Sequence, residues 1–341
     1  MQQSDIVSSN IEVEVTRGTM VESRHEVSFA VVNAAGKVIT AAGDYNVPVY
    51  ARSSLKMLQA IPLVETGAAD AFGLTDRELS LACASHDGET VHTETVAGWL
   101  EKIGCSVDDL ECGAHLPYHL PSMEALLRAN GEASALHNNC SGKHTGFLSF
   151  ARHCGMPTGG YIKYEHPVQQ RILGVLESMC SEDLGNAPRG ADGCGIPVIG
   201  ISLAKTALGM ARMADPVDLP AARAKACERI VQAIVREPVM IAGTDRFCSH
   251  VIRALKGRAV VKTGAEGFFC AILPEDGLGI ALKARDGATR AAETALLAVL
   301  RKLKILDDAA EAELKDRITQ PLRNRAGVHV GDVRVPRQLP F

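Results

Sequence analysis

Residues 258–283 read RAVVKTGAEGFFCAILPEDGLGIALK, and this stretch decides the fold class of the chain. It contains three short runs rich in β-branched, aromatic and other apolar residues, 258–262, 268–273 and 278–283, separated by turns that contain glycine. Such runs are typical of neighbouring strands in an antiparallel sheet. An amphipathic helix is predicted to follow at 288–304, where it would cover the sheet.

The N-terminal part of the chain shows the same strand-like pattern. Strands are predicted at 11–16, 26–32 and 38–42, with a hairpin turn at 33–36. Between the two strand-rich ends, from residue 53 to about residue 238, the pattern becomes helical. Loops rich in Gly, Pro, Asn and Asp separate the predicted helices.

This order of elements predicts an α/β fold of the α+β type, built as one domain over residues 1–341. Residues 1–50 and 256–304 are expected to form an antiparallel sheet with a terminal helix, and residues 53–240 a largely helical lobe inserted between them. We expect a cleft where the sheet meets the lobe. The tail after Ile318 contains four Arg as well as Pro and Gly, and it is predicted to be an irregular strap or an oligomer contact.

Composition limits the classes of function. Hydrophobic residues make up 46% of the 341 residues, and the formal net charge is −4 with both signs interspersed. Because no basic surface is indicated, nucleic acid is not an expected partner. No stretch approaches the ~20 apolar residues of a spanning helix, so a membrane is not expected either. The N-terminus lacks a basic segment followed by an apolar one, and we therefore expect a cytoplasmic protein.

Ser53-Ser54-Leu55-Lys56 forms an SxxK motif at the start of the first predicted helix. A spacing of three on a helix places the hydroxyl of Ser53 and the amine of Lys56 on one face, within reach of a hydrogen bond. The positive end of the helix dipole would stabilise the negative charge that the serine oxygen develops as it attacks. The alternative is a capping serine beside a solvated lysine, since so short a motif also occurs by chance.

Two further motifs complete an ordered series. KTG at 262–264 lies at the end of a predicted strand, and SHD at 85–87 follows a predicted helix. SxxK, then a serine element, then KTG on a strand is the order found in the penicillin-interacting serine hydrolases, although the asparagine of their SxN element is missing here. The series predicts a Ser-Lys catalytic centre made of Ser53, Lys56, Ser85 and Lys262.

The chemistry of amide hydrolysis explains why two hydroxyls and two amines are needed. Burial and a nearby cation both favour a neutral amine, so Lys262 would help Lys56 to act as a base towards Ser53. Ser85, paired with Lys262, would relay a proton to the leaving ammonia. Backbone N–H groups of Ser53 and of residues 262–267 would hold the oxyanion.

Ten cysteines are present, and eight of them stand singly among apolar or helical residues, where buried small side chains are expected. Cys140 and Cys194 differ because both lie in polar loops that contain glycine. Two thiols with a nearby histidine or lysine amine can bind Zn²⁺ when a water completes the tetrahedron. The alternatives are structural cysteines without a metal and a Cys140–Cys194 disulfide, which a reducing cytoplasm disfavours.

Seven strings form a distinctive set of loop motifs: RG at 17–18, VESRH at 21–25, RSSLK at 52–56, CASHDGE at 83–89, NCSGKH at 139–144, DGCG at 192–195 and KTGAEG at 262–267. Over about residues 10–300, this set resembles the rhizobial-type, or class 3, L-asparaginases. The resemblance implies a homodimer with a fold like that of the serine β-lactamases, penicillin-binding proteins and glutaminases. It also implies two Ser-Lys pairs, Ser53 with Lys56 and Ser85 with Lys262, and a zinc ion held by Cys140, Lys143 and Cys194.

The substrate implied by the resemblance is L-asparagine, whose zwitterionic end requires a cation for the carboxylate and an anion for the ammonium. Arg52 and His144 are the candidates for the first role, and Asp192 is the candidate for the second. A surface cation at Arg52 and a turn carboxylate at Asp192 are the alternatives. Zinc could activate water, anchor the substrate or brace two loops, and we favour anchoring.

Five further polar residues are expected to support the site. His86, Asp87 and Glu89 would lie behind Ser85, with a helix cap as the alternative role for Asp87. Glu22 and His25 lie in a predicted strand-edge turn, and a structural role near the cleft is expected for them.

Three rival functions fit the same residues. A glutaminase or another small-amide amidohydrolase would differ in substrate by as little as one methylene, which is worth only ~1–3 kcal/mol in a pocket. A non-catalytic zinc-binding or ligand-binding protein would keep its biological activity after Ser53→Ala. A metalloamidase would keep its catalytic activity after that substitution but lose it when the metal is removed by a chelator.

Overall fold

The computed structural model describes residues 5–7, 10–336 and 339, with residues 5–7 described by their backbone alone. The chain divides into two compact units. The sheet unit consists of Met1–Ser54, Ile201–Asp215 and Val251–Phe341, and the helical unit consists of Leu55–Gly200 and Pro216–His250. Whether the chain acts as the single domain expected from the sequence stays a prediction.

Twelve strands are assigned within the described residues. They are β1 Asp5–Val7, β2 Ile11–Arg17, β3 Met20–Asn33, β4 Val38–Ala42, β5 Pro48–Tyr50, β6 Arg189–Ala191, β7 Pro197–Ser202, β8 Val260–Thr263, β9 Phe268–Leu273, β10 Leu278–Ala284, β11 Gln320–Arg323 and β12 His329–Arg334. The large sheet has the order β11-β12-β2-β3-β10-β9-β8, with β4 paired to β3 and β1 paired to β4. All of these pairs are antiparallel except β1 with β4. The predicted antiparallel sheet built from both ends of the chain is confirmed.

Thirteen α-helices are assigned within the same residues. They are α1 Lys56–Gln59, α2 Ile61–Glu65, α3 Ala68–Ala71, α4 Asp76–Ala82, α5 Thr90–Lys102, α6 Leu120–Arg128, α7 Ser141–His153, α8 Pro167–Cys180, α9 Leu203–Ala214, α10 Ala221–Arg236, α11 Phe247–Leu255, α12 Thr289–Lys302 and α13 Asp308–Ile318. The helical insert between the strand-rich ends is therefore confirmed. In the described part of the chain, every helix is too short or too polar to cross a membrane.

The central strands of the sheet are buried on both faces. β9 is buried at every position, and α9 and α12 both pack on β3, β9 and β10. Gly279 in β10 allows α9 to approach, because a Cβ at this position would lie 2.0 Å from the backbone oxygen of Ala207. This close packing places α9 in the sheet unit, although the sequence suggested that it belongs to the helical lobe at 53–240.

The described part of the tail after Ile318 contains regular strands. β11 and β12 form an antiparallel hairpin, and β12 extends the sheet by pairing with β2, so that Val333 lies opposite Val15. Gly331 and Val333 are buried and alternate with more exposed residues, which is the pattern of a strand with one covered face. The prediction of an irregular strap is wrong, because the Arg, Pro and Gly content of the tail concealed this alternation.

The helical unit is built around α7. Residues 141–151 of this helix are buried without a break, and α2, α3, α4, α5 and α8 pack against it. Gly142 lies against the end of α4, since a Cβ there would be 2.4 Å from the backbone oxygen of Leu81. This close approach places the residues that follow α4, including Ser85, beside the start of α7.

Candidate active site

Ser53 lies in a short 3-10 helix, Arg52–Leu55, whose first residue has a left-handed backbone. The φ angle of Arg52 is 52°, a conformation that costs a residue with a side chain about 1–2 kcal/mol. Strain of this kind persists where the surrounding structure holds it in place, as at functional sites. Ser53 is half-buried, whereas Ser54 beside it is fully buried. The turn therefore leaves Ser53 partly accessible on a firmly held segment.

The KTG motif lies against this turn. Lys262 in β8 is fully buried, and its carbonyl oxygen accepts a 3.0 Å hydrogen bond from Ser54 Oγ. The Nζ of Lys262 donates to the carbonyl oxygen of Thr263 at 2.9 Å. At Gly264, a Cβ would lie 2.4 Å from the backbone oxygen of Ala51. The third residue of the motif is therefore glycine because the edge strand passes so close to the serine turn.

Lys56 is buried in the helical unit with three polar partners. Its Nζ lies 3.0 Å from Ser85 Oγ and 3.1 Å from Cys140 Sγ, and it also donates a short hydrogen bond to the carbonyl oxygen of Ala84. An ammonium group has three donors, and these partners account for all of them. A neutral Lys56 would instead accept a hydrogen bond from Ser85 or Cys140, because a carbonyl oxygen cannot donate.

Cys140, Lys143 and Cys194 form a buried cluster in the helical unit. The two thiols share a hydrogen bond, and Lys143 Nζ donates to Cys194 Sγ at 3.0 Å. The hydrogen bond from Cys194, helped by the charges of Lys143 and Lys56, holds the pKa of Cys140 well below its usual range. The same bond and burial raise the pKa of Cys194. Burial opposes the charge of Lys143, but the sulfurs of Cys140 and Cys194 raise its pKa.

This donor set fits a zinc ion. Thiolate sulfur and neutral nitrogen are ligands that Zn²⁺ prefers, and the cluster offers two sulfurs and one amine. Within the described ranges, no group of three His, Cys, Asp or Glu side chains could hold a metal, so the amine of Lys143 would be the third protein donor here. Binding would release protons from Lys143 and Cys194, which makes zinc affinity dependent on pH.

Backbone turns hold the two sulfurs in place. Cys140 immediately precedes α7, and its N–H donates to Asn138 Oδ1 at 2.8 Å. Cys194 lies in a turn closed by a 2.9 Å hydrogen bond from the N–H of Gly195 to the carbonyl oxygen of Asp192. The φ angle of Gly195 is 88°, which favours glycine at the end of this turn. The two loops that the sequence singled out therefore form the metal-binding candidate.

His144 is a fully buried candidate for substrate binding. Its Nδ1 lies 2.8 Å from Tyr161 Oη, and its Nε2 has no hydrogen-bond partner among the described residues. Burial, together with the charges of Lys143 and Lys56, lowers the pKa of His144 well below its usual value. A neutral imidazole can form a hydrogen bond but supplies no positive charge.

Arg52 and Asp192 are both half-buried. Arg52 belongs to the sheet unit, and Asp192 belongs to the helical unit. Asp192 Oδ1 accepts a 2.6 Å hydrogen bond from the N–H of Gly193, as a turn carboxylate does. With His144 neutral, Arg52 is the remaining candidate for the cation that binds the substrate carboxylate.

The structure adds a segment that the sequence did not single out, residues 239–246. The N–H of Ser85 donates to the carbonyl oxygen of Ile241 at 3.0 Å. The N–H and Oγ1 of Thr244 donate to the carboxylate of Glu89 at 2.7 and 2.6 Å. The only local signal for this role is a polar Gly-Thr-Asp-Arg string, which is equally typical of an ordinary loop.

Asp87 and Gly243 complete this support. Arg246 forms an ion pair with Asp87, so Asp87 binds the 239–246 segment. The residue at the N-cap position of α5 is Glu89, not Asp87. Burial raises the pKa of Asp87 even though Arg246 opposes the shift. The φ angle of Gly243 is 142°, and a Cβ there would lie 2.7 Å from Glu89 Oε1.

Glu22 and His25 lie in β3 of the sheet unit. His25 Nδ1 is 2.5 Å from Asp286 Oδ2, and the Nε of Arg290 donates to His25 Nε2 at 3.3 Å. Glu22 forms an exposed ion pair with Arg17. The contacts of His25 connect β3 to the start of α12, and the ion pair of Glu22 connects β3 to β2. Both residues therefore stabilise the sheet unit.

The model of the L-asparaginase II family matches residues 13–335 of the chain. Comparison with curated proteins gives no match. Among solved structures, the chain is similar to a β-lactamase from Mycobacterium bovis, with 17% identity, 82% of this chain and 95% of that chain covered, and a TM-score of 0.43. It is also similar to a protein described as Mglu, with 15% identity, 82% and 62% coverage, and a TM-score of 0.38.

The chain covers less than two thirds of the length of the second structure. The family match is different because it extends over nearly the whole described chain, including every predicted catalytic and metal-binding position. It confirms the resemblance carried by the loop motifs. The chain therefore belongs to the L-asparaginase II family of amidohydrolases.

Proposed function

We propose that the protein is an L-asparaginase, which hydrolyses L-asparagine to L-aspartate and ammonia through a Ser-Lys centre next to a zinc site. Family membership supports the reaction class and the substrate. The observation that carries the proposal is the buried Lys56, whose Nζ lies 3.0 Å from Ser85 Oγ and 3.1 Å from Cys140 Sγ. A buried amine bonded to a hydroxyl provides a route for the proton transfers that amide hydrolysis requires.

Ser53 is the proposed nucleophile, and Lys56, three residues later in the chain, is its proposed base. As the oxygen of Ser53 bonds to the amide carbon, its proton passes to Lys56. Lys56, whose Nζ lies 3.0 Å from Ser85 Oγ, takes the place in the relay that was predicted for Lys262 from the sequence. It passes a proton to Ser85, and Ser85 delivers it to the amide nitrogen, so that the carbon–nitrogen bond breaks with loss of neutral ammonia. Water then hydrolyses the acyl ester and restores the proton to Ser53. Lys262 is the second proposed amine of the Ser-Lys centre.

The remaining proposed roles concern binding. Cys140, Lys143 and Cys194 would hold the zinc ion, which would supply a Lewis acid that anchors the substrate. Arg52 would bind the carboxylate of asparagine and Asp192 its ammonium group. His144 would offer one hydrogen bond through Nε2.

We also propose that the protein is cytoplasmic and forms a homodimer. Cys140 and Cys194 are reduced and share a hydrogen bond. Adjacent free thiols persist in a reducing compartment, which supports a cytoplasmic location. The homodimer rests on the resemblance to class 3 L-asparaginases.

The test is ammonia release from L-asparagine and L-glutamine, measured side by side on the zinc-loaded wild type, Ser53→Ala and Ser85→Ala. We expect faster release from asparagine. Loss of the nucleophile in Ser53→Ala should lower kcat on the order of 10⁴-fold or more. Loss of the relay in Ser85→Ala should lower it about 10²- to 10⁴-fold. Ser149→Ala is the control, because Ser149 is a buried serine of α7 whose Oγ donates to the carbonyl oxygen of Thr145 and has no other hydrogen bond among the described residues.

Other outcomes separate the rival functions. Full activity of Ser53→Ala, combined with loss of activity on chelation, would identify a metalloamidase. Faster ammonia release from glutamine would identify a glutaminase. Zinc binding without ammonia release from either amide would favour a non-catalytic ligand-binding protein.

A further inference from the structure

We propose that His86 is a positioning residue, whose neutral imidazole fastens the turn that carries Ser85 to the start of α7, the helix that follows Cys140. The catalytic consequence of this inference rests on the proposed function. Its geometric part rests only on contacts within the helical unit. His86 would act through Ser85 rather than on the substrate.

The hydrogen bonds of His86 allow only one tautomer. Its Nδ1 lies 3.1 Å from the N–H of Gly88, which can only donate, so Nδ1 carries no proton. Its Nε2 lies 2.9 Å from Ser141 Oγ, and Ser141 Oγ donates to the carbonyl oxygen of Leu136 at 3.0 Å. Because the hydroxyl has a single proton and the carbonyl can only accept, Nε2 must donate to Ser141. His86 is therefore the neutral Nε2–H imidazole.

His86 is also fixed through its backbone and its ring face. Its N–H donates to the carbonyl oxygen of Asn139 at 3.2 Å, one residue before Cys140. Its ring stacks on His92, with centroids 4.8 Å apart and planes 16° apart. His92 Nε2 in turn donates to the carbonyl oxygen of Val239 at 3.1 Å. His86 thus contacts the start of α7 directly and, through His92, the segment 239–246.

The surroundings keep His86 uncharged. The side chain is completely buried, and burial lowers the pKa of His86 well below its usual value. The positively charged or protonatable groups that face it lower the pKa further, and they are His92, Lys56, His115 and His137. Its donor and acceptor roles are therefore maintained at neutral and mildly acidic pH.

Loss of the hydrogen bond between His86 and Ser141 would displace Ser85 and so slow the proposed proton relay. Ser85 directly precedes His86, and the relay depends on the 3.0 Å contact between Ser85 Oγ and Lys56 Nζ. A misplacement of about 1 Å in a reacting group can cost on the order of 100-fold in rate. Because Ser85 acts on a proton rather than on the bound substrate, the loss should fall on kcat and not on KM.

The kinetic experiment compares Ser141→Ala and His86→Asn with the Ser149→Ala control. Ser141→Ala removes the acceptor of the His86 bond with little change in volume. Asn at position 86 still offers an acceptor to the N–H of Gly88, as in an Asx turn, but does not reach Ser141. For L-asparagine we expect kcat to fall about 10- to 100-fold in both variants, with KM changed less than about twofold. Zinc content should match that of the Ser149→Ala control, and both variants should remain folded at the assay temperature. Their unfolding temperatures should lie below that of the control, because a buried hydrogen-bond partner is left unsatisfied.

A kcat of Ser141→Ala equal to that of Ser149→Ala would overturn the proposal. A loss that appears in KM, or that follows a loss of bound zinc, would overturn it as well. If His86→Asn does not fold, Ser141→Ala alone decides between these results.

A second measurement does not depend on asparaginase activity. In ¹⁵N-labelled wild-type protein, the ring nitrogen resonances of His86 should show the Nε2–H tautomer from pH 5.5 to 8. These resonances are identified by their absence in His86→Asn or by their shift in Ser141→Ala. Titration of His86 in this range, or a proton on Nδ1, would overturn the proposal. A wild type that releases no ammonia from asparagine would instead refute the proposed function, while the NMR result would still decide the hydrogen-bond geometry.

Discussion

Lys262 of the sheet unit and Lys56 of the helical unit are both buried lysines, but different forces position them. Lys262 lies in β8, where it pairs with Cys270 of β9, and its own backbone carbonyl is bound by Ser54. Lys56 opens a helix of only four residues and is held through its side chain by Ser85 and other polar partners. Backbone packing thus positions one lysine, and a network of polar side chains positions the other.

This difference has consequences for substitution. A strand and a turn in van der Waals contact cannot accept an added atom without separating, so changes in the sheet unit should act abruptly. A network with several hydrogen bonds loses one bond at a time, so changes in the helical unit should act gradually. Three predictions, from the largest effect to the smallest, test the distinction.

The largest effect is expected for Gly264→Ala. The new Cβ would lie 2.4 Å from the backbone oxygen of Ala51 and 2.9 Å from Ser54 Oγ, so the strand and the serine turn must move apart. We expect the rate of asparagine hydrolysis to fall on the order of 100-fold. Overpacking should lower the free energy of unfolding by about 1–3 kcal/mol, measured by urea denaturation.

Gly174→Ala is the matched control for this substitution. Gly174 lies in the interior of α8, and outside the backbone of its own helix no described residue comes within 4 Å of an added Cβ. Alanine is the better helix former, so this variant should gain about 0.5–1 kcal/mol of stability and keep its rate. Equal losses in both glycine variants would show that Gly264 has no special role.

The next effect, on stability alone, is expected for zinc binding, whose three proposed ligands all lie in the helical unit. Zinc at 100 times its Kd should stabilise the protein by about 2.7 kcal/mol, seen as a rise in the unfolding temperature. Cys194→Ser should abolish this rise. Cys154→Ser, which changes an exposed thiol of the same unit, should retain it. An undiminished rise in Cys194→Ser would place the metal elsewhere.

The smallest effect is expected for Thr244→Val, which removes one of two hydrogen bonds from Thr244 to the carboxylate of Glu89. The loss should be about 1.5 kcal/mol at pH 7. Burial opposes the charge of Glu89, but hydrogen bonds from Thr244 lower its pKa. A carboxylate with a lowered pKa contributes stability above its unfolded-state pKa and loses it as the pH falls through its folded-state pKa.

The difference between wild type and Thr244→Val should therefore be complete at neutral pH and shrink below about pH 4. Urea denaturation of both proteins at pH 7 and pH 3 measures it. A difference of the same size at both pH values would mean that the charge of Glu89 does not contribute to the hydrogen bond.

Local patterns predicted much of the fold. The run at 268–273 coincides with β9, because an uninterrupted apolar stretch of six residues bounded by turns has few alternatives to a buried strand. β3 begins at Met20, earlier than predicted, because its polar residues suggested a turn although they pair with β2. The packing of α9 on the sheet was not visible in the sequence, since its partner Gly279 lies far away in the chain.

In the candidate site, too, contiguous motifs could be predicted from the sequence and contacts between distant segments could not. The order of SxxK, the serine element and KTG, together with the two cysteine loops, was visible in the sequence because each motif is contiguous. The contact between Lys56 and Cys140, the tautomer of His86 and the support from residues 239–246 were not visible there. Each of them joins segments that are far apart in the chain.

Residue order and periodicity therefore sufficed for the strands, the helical insert and the chemical types at the site, because these depend on neighbours along the chain. Which amine meets which hydroxyl or sulfur depends on how closely α4 approaches α7 at Gly142 and how closely β8 approaches the serine turn at Gly264. Those distances result from packing across the whole unit, where atoms remote in sequence must fill space together, and no local pattern encodes them.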